Sequence, residues 1–297
     1  MKRLFLFCAV IIGLIGAFAS CNSPVQDPST LSSASVWEIS KNGNSLFLGG
    51  SVHVLRAKDY PMPAAFDSAF GKAAILVLET DVDRMLDAER QSYINDQWML
   101  PEGQTLKTVL DDAVYKQLEN TFGDSVISLL SQYKPSVAVN TLQSLYLQQN
   151  GFTKNGADLY YLARAKEEGK FIDFLEDIKV QIDMLGGMAD SGEDEYVSAF
   201  LNALPLTVSE AAAFVSEWKD GTAALIETVL SVQESESSAV YKTAVYDRNA
   251  AWMPKIENYL TTEKIEFVIV GLAHVHGHDG LLIQLKNKGY TVKQLVN

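Results

Sequence analysis

The chain has 297 residues, is 47% hydrophobic and 10% aromatic, and carries a formal net charge of −13. A surface this acidic repels phosphate backbones and anionic lipid, so nucleic acid is not expected as a partner and any membrane attachment has to come from covalent lipid. The chain contains only two cysteines, Cys8 and Cys21, and four histidines.

Lys2 and Arg3 followed by the uncharged stretch Leu4 to Phe18 form a signal-peptide pattern. Ala19-Ser20-Cys21 resembles a bacterial lipobox, which makes Cys21 the lipidation site. Residues 1–20 are therefore expected to be removed and 21–35, rich in Ser and Pro, to form a flexible tether. Cys8 is lost with the signal, so no disulfide, cysteine nucleophile or cysteine metal ligand is expected in the mature protein. Residues 36–297 are read as one domain, long enough to bury a full core. The expected location is the cell envelope of a bacterium, on its periplasmic or extracytoplasmic face.

In chain order, Val36 to Ile39 and Ser45 to Val52 flank Lys41-Asn42-Gly43-Asn44, and Asn-Gly between apolar runs predicts a hairpin. A helix over 63–72 leads to a buried strand over 73–78. From 82 to about 166 the pattern is helical. Val114, Leu118 and Phe122 recur every fourth residue, and Gly123-Asp124 and Tyr133-Lys134-Pro135 break the run. Residues 157–166 form a helix closed by Gly169, and 171–175 a short strand. Residues 190–228 and 238–260 read as helices interrupted at Pro205 and Gly221. A strand over 264–270, a helix over 280–288 and a strand over 291–296 complete the chain. These elements predict an α/β fold: a mixed, largely parallel sheet with an N-terminal β-hairpin, placed on an edge, and a large helical insertion.

The most informative pattern occurs twice: Gly50-Ser51-Val52-His53 and Gly271-Leu272-Ala273-His274, each behind a predicted strand. Ligand sites in open α/β sheets gather at the carboxyl ends of strands. His53, Glu79 and His274 all fall there. Two imidazoles and a carboxylate are a reasonable donor set for a divalent ion, whose bound water would be acidified for hydrolysis. Each residue also has a plainer reading. A histidine at a strand end is often just hydrogen-bonded, Glu79 can cap a following helix, Arg248 can pair with Asp247 or another carboxylate, and Asp158 can be an N-cap. His274-Val275-His276-Gly277-His278 puts three imidazoles on one face if a strand continues and His274 with His278 if a helix begins. Gly277 and Gly280 favour a loop that leaves His276 and His278 peripheral. There is no phosphate-binding loop, hence no nucleotide cofactor, and no serine nucleophile elbow.

Five segments, in order, resemble the TraB/GumN family, related to Tiki membrane proteases and more distantly to erythromycin esterases. They are Leu48 to Val54 with Pro61-Met62-Pro63, Leu78-Glu79-Thr80-Asp81, Asn155-Gly156-Ala157-Asp158 leading to Leu175-Glu176, Asp247-Arg248-Asn249, and Val270 to His274 through Leu285 to Val292. The resemblance implies a peptidase-like hydrolase dependent on a divalent metal ion, Mn, Co or Zn. His53, Glu79 and His274 would be its ligands or catalytic groups. It implies for Arg248 a grip on a substrate carboxylate or an oxyanion, and for Asp158 and Glu176 a role behind the ligands. The esterase relatives imply an alternative, a histidine general base without metal. The expected substrate is a peptide or small molecule with an amide or ester bond. A non-catalytic envelope lipoprotein that binds a ligand in the same cleft, or one whose histidines only support packing, stands as the other reading.

Overall fold

The computed structural model describes residues 33–190 and 192–296. The opening hairpin pairs β1 (Ser33–Lys41) with β2 (Asn44–Ser51) through Asn42 and Gly43, both at positive φ. β1 begins inside the stretch read as tether, where Ala34 and Ser35 are already fully buried. The chain continues through β3 (Leu55–Arg56), α1 (Ala64–Lys72) and β4 (Ile75–Leu78) into α2 (Ala88–Trp98), α3 (Leu106–Val109), α4 (Asp112–Phe122), α5 (Asp124–Leu129) and α6 (Pro135–Gln149). It returns through β5 (Phe152–Thr153), α7 (Ala157–Glu167) and β6 (Phe171–Phe174) to α8 (Ile178–Gly187), α9 (Glu193–Asp220), α10 (Ala224–Glu236) and α11 (Ser238–Tyr241). A π-helical turn, Lys242–Tyr246, feeds α12 (Asp247–Tyr259). Then come β7 (Glu266–Gly271), α13 (Leu272–Val275), α14 (Leu281–Asn287) and β8 (Thr291–Val296).

These elements form two compact units, 81–150 with 177–209, and 33–80 with 151–176 and 210–296. The first is helical. Leu118, Ile127, Leu142, Phe200 and Leu204 fill its core, and Val114 and Phe122 pack against it, as their spacing predicts. Arg90 grips Asp177 with two bonds, Nη1–Oδ1 2.6 Å and Nη2–Oδ2 3.0 Å, and Asp177 also caps α8. Proline starts α6 at a position where its missing N–H costs nothing. Pro205, read as an interruption, instead lies inside the continuous α9.

The second unit holds the six-stranded sheet, in the order β6-β4-β7-β2-β1-β8. β6, β4, β7 and β2 run parallel, β1 runs opposite to them, and β8, antiparallel to β1, runs in their direction again. The hairpin was expected on an edge. β8 pairs outside β1 and takes that place, which suits a strand whose residues alternate between exposed and half-buried. β7 is buried on both faces, as a central parallel strand should be. Its residues alternate: Val268 and Val270 join Trp252, Ile256, Leu281 and Leu285 on one side. On the other, Phe267 meets Phe66, which stacks near Tyr161 and Trp218. Each such side chain contributes about 1.5–3 kcal/mol of burial. Gly49 permits the aromatic layer, since a β-carbon there would lie 2.9 Å from the Phe267 ring.

Candidate functional site

Four adjacent parallel strands end side by side, and each delivers one polar residue to the same edge. β6 is followed by Glu176, β4 by Glu79, β7 ends in Gly271 with His274 in the next turn, and β2 ends in Ser51 two residues before His53. The sheet thus collects residues almost the whole chain apart, at the carboxyl ends where α/β proteins place ligands.

His53 is held from one side. Its Nδ1 lies 3.0 Å from Asp158 Oδ2, and a carboxylate acceptor there makes Nδ1 the protonated nitrogen. Asp158 is fixed in turn by Ser51, whose hydroxyl donates to Oδ1 at 3.0 Å. Asp158 is not the N-cap of α7; that position is Gly156, which lies so close to His53 that a β-carbon would come within 2.3 Å of its α-carbon. Nε2 makes no hydrogen bond to a described residue, and the side chain is 22% exposed. Burial depresses the affinity of His53 for a proton, but the charge and hydrogen bond of Asp158, with the charge of Glu79, outweigh it and raise the pKa above 6.5.

His274 is held from both sides and is buried. Arg248 Nη1 donates to its Nε2 at 2.9 Å, and a guanidinium has no acceptor, so the opposite nitrogen carries the proton. That Nδ1–H donates to Asn249 Oδ1 at 2.8 Å, while Asn249 Nδ2 donates to the His274 and Asp279 carbonyls. Burial and the Arg248 charge bring its pKa from 6.5 to about 3, against the opposing pull of Glu79. It is a neutral imidazole at any ordinary pH.

Arg248 organises this half of the site. Nε and Nη2 bind Glu176, at 3.0 and 2.7 Å, Nη2 also donates to Glu79 Oε2, and Nη1 reaches the Ala244 carbonyl at 3.2 Å as well as His274. All five N–H donors are therefore engaged. The residue expected to bind a substrate carboxylate or an oxyanion instead cross-links two carboxylates and an imidazole. Of the plainer reading, an ion pair with Asp247 or another carboxylate, the second half holds: the partners are Glu79 and Glu176, while Asp247 binds Lys242. The π-helical turn just before it contributes the Ala244 carbonyl. Trp252, one turn on, donates to Glu176 Oε2 at 2.8 Å and lies beneath both the guanidinium and the His274 ring. Glu79 receives the Gly271 N–H at Oε1, 2.6 Å away. Burial alone would raise its pKa, but Arg248 above all brings it down to about 2, so it is ionised.

A divalent ion held by His53, Glu79 and His274 would need a lone pair from each. His274 Nε2 and Glu79 Oε2 both turn theirs toward Arg248, so a cation already occupies the place between them. Among the described residues no group of three or more histidine, cysteine or acidic side chains is set to hold a metal ion. The donor set in this arrangement suits a guanidinium and does not fit a metal, and no step below runs through one.

The remaining histidines leave the site. His274 sits in the short helix α13, which His276 ends in extended backbone and Gly277 at φ 83°. His276 lies against the edge of Trp37, ring centroids 5.3 Å apart, and His278 is exposed beside Glu234 and Asp279. Ser51 and Asn249 lie within the motifs read from the sequence but receive no role there, and Trp252 is not singled out. Trp252 is legible afterwards, four residues beyond Arg248 on the same helical face.

A mixed α/β sheet with a His–Asp pair and an arginine-bridged carboxylate cluster at its carboxyl edge defines an α/β protein with an enclosed polar centre. The model of the TraB/PrgY/gumN family matches residues 35–294, and the chain belongs to that family. No curated protein and no solved structure matches it.

Proposed function

We propose that the chain is an envelope lipoprotein with hydrolase activity toward peptide or ester bonds, using His53 as general base without a metal ion. One observation carries the reading: an imidazole at the strand-end edge has Nδ1 tied to a carboxylate and Nε2 left open. A general base needs a fixed tautomer, an accessible lone pair and proton affinity near neutral pH. Asp158 supplies the first and, with Glu79, favours the imidazolium that forms when His53 takes a proton. Arg248 bonds Glu79 and Glu176, and Asp158 bonds His53 itself, so positive charge on His53 is welcome beside the carboxylates of Asp158 and Glu79. Arg248 and His274 form the rigid, preorganised wall that keeps Glu79 ionised. Attachment to the membrane through Cys21 is the remaining part of the proposal, supported by the lipobox pattern; residues 1–32 lie outside the described ones.

The test uses protein lacking residues 1–20, with p-nitrophenyl acetate and a peptide library as probes. Turnover that falls at least ~100-fold in His53→Ala, and is indifferent to EDTA and to added Mn²⁺, Co²⁺ or Zn²⁺, supports the reading. Turnover restored only by a metal ion overturns the metal-free part. No turnover of any probe favours a ligand-binding lipoprotein.

A further inference from the structure

Gly271 poses a question that its backbone does not answer. Its φ of −53° and ψ of 142° suit any residue, so conformational freedom does not explain a glycine here. What distinguishes the position is where a side chain would point. A β-carbon at 271 would lie 3.2 Å from His53 Nε2, 3.3 Å from Glu79 Oε1 and 3.6 Å from His274 Cδ2. Other close-packed glycines face bulk: Gly50 faces Leu272 Cδ1 at 2.5 Å, and Gly156 and Gly280 face backbone. Only at Gly271, among the described glycines, are the two nearest atoms the open nitrogen of the proposed base and an oxygen of the ionised carboxylate.

We infer that Gly271 seats the attacking water, which rests over its α-carbon and donates one hydrogen to His53 Nε2 and the other to Glu79 Oε1. This rests on the hydrolase reading and adds the place and the partners of the nucleophile. Both acceptors are preset. His53 Nε2 offers a lone pair because Nδ1–H goes to Asp158, and Oε1 is held by the Gly271 N–H. With both hydrogens turned inward, the water directs an oxygen lone pair outward, toward a carbonyl carbon presented at the strand-end edge. In the step, one O–H bond breaks and its proton passes to Nε2 as the oxygen forms a bond to the carbonyl carbon. The carbonyl π pair moves onto its oxygen. When that pair returns, the bond to the amine or alkoxide leaving group breaks, and Nε2–H gives the proton to it. Glu79 holds and orients the water but does not take its proton, because Arg248 and the Gly271 N–H keep it a weak base.

Two measurements test this on protein lacking residues 1–20. In a crystal structure, a solvent oxygen within hydrogen-bond distance of both His53 Nε2 and Glu79 Oε1 is expected in the parent protein and absent in Gly271→Ala. An ordered structure of the parent protein in which no solvent touches both atoms overturns the inference, whatever the activity. The alanine methyl is tight, but the three atoms nearest it belong to side chains, so the melting temperature should stay within about 5 °C. Turnover of p-nitrophenyl acetate should fall at least ~100-fold. Turnover that depends on His53 yet survives in Gly271→Ala sinks the water seat and spares the hydrolase; turnover indifferent to His53→Ala sinks the hydrolase, and the solvent position is then judged by the crystal structure alone.

Discussion

Gly50-Ser51-Val52-His53 and Gly271-Leu272-Ala273-His274 follow neighbouring parallel strands, yet their histidines end in opposite states. His53 is tied at one nitrogen, partly exposed and drawn toward the charged form. His274 is tied at both, buried and locked neutral. The glycines differ too: Gly50 has no room for a side chain because Leu272 packs on it, whereas Gly271 keeps clear the space before His53. Sequence pattern alone does not assign a role; the second partner of each ring does. An arginine beside one imidazole and a carboxylate beside the other turn one motif into a supporting wall and a proton acceptor.

The strongest way to break the comparison is to remove Arg248. Arg248→Met leaves Glu79 and Glu176 buried without their cation and His274 Nε2 without its donor. Removing one partner of a buried pair costs about 3–5 kcal/mol. Urea unfolding should register a loss of that size. Arg248→Lys should recover only part of it, since an ammonium cannot reproduce the forked contacts to two carboxylates and a ring nitrogen. A loss below ~1 kcal/mol for the methionine variant would mean that the cluster does not hold this half of the site together.

Changes on the other side should act on turnover rather than stability. Asp158→Asn keeps the shape but replaces a charged acceptor, so it should lower the His53 pKa and reduce turnover of the ester probe by roughly 10²-fold. His53 titrated by NMR in the two proteins checks the direction. Ser51→Ala should do the same more weakly, because it loosens Asp158 at one oxygen only.

Acid should separate the two rings by sign. The unfolded chain protonates His274 below about 6.5, while the folded chain resists until about 3, so stability contributed by a neutral His274 falls as pH drops through that window. His53 behaves oppositely: its folded form holds the proton more tightly, so its contribution is full below 6.5 and is lost as pH rises through the raised value. Glu79 joins His274, losing stability between 4.5 and about 2. Glu266, buried at the start of β7, opposes them, because burial raises it to about 7 and stability falls as pH rises from 4.5 to that point. Unfolding free energies measured between pH 5 and 6.5 in a Glu266→Gln background should therefore fall toward acid, with His276, brought down to about 4 by burial, adding to the fall, and the further change His274→Gln should reduce the slope by about half. A slope unchanged by that substitution would contradict a neutral, buried His274.

Most of this framework was legible from residue pattern. Asn42-Gly43 announced the hairpin because both residues take positive φ, and the apolar runs before Glu79 and Gly271 announced strands buried on both faces. His53, Glu79 and His274 converge because parallel strands end together, which strand order alone predicts. What could not be read was the pairing. Asp158 lies 105 residues from His53 and Glu176 lies 72 from Arg248, so which carboxylate meets which cation depends on packing at distance. The placement of β8 outside β1 and the passage of α9 through Pro205 were hidden for the same reason.

The smallest effect concerns His276, two residues past His274. Its ring lies edge-on to Trp37, and Nε2 is buried with no hydrogen-bond partner among the described residues; burial brings its pKa down to about 4. A polar atom in that position is a cost, not a contact, and replacing it by a carbon of similar shape should recover part of the desolvation penalty. His276→Phe keeps the aromatic edge against Trp37 and removes the orphaned nitrogen, for an expected gain of about 1 kcal/mol. Turnover should not change, because neither His53 nor Glu79 touches this ring. If His276→Phe instead destabilises the protein by more than ~1 kcal/mol, that nitrogen has a solvent partner in solution, and the polar network beyond the second motif reaches two residues past His274.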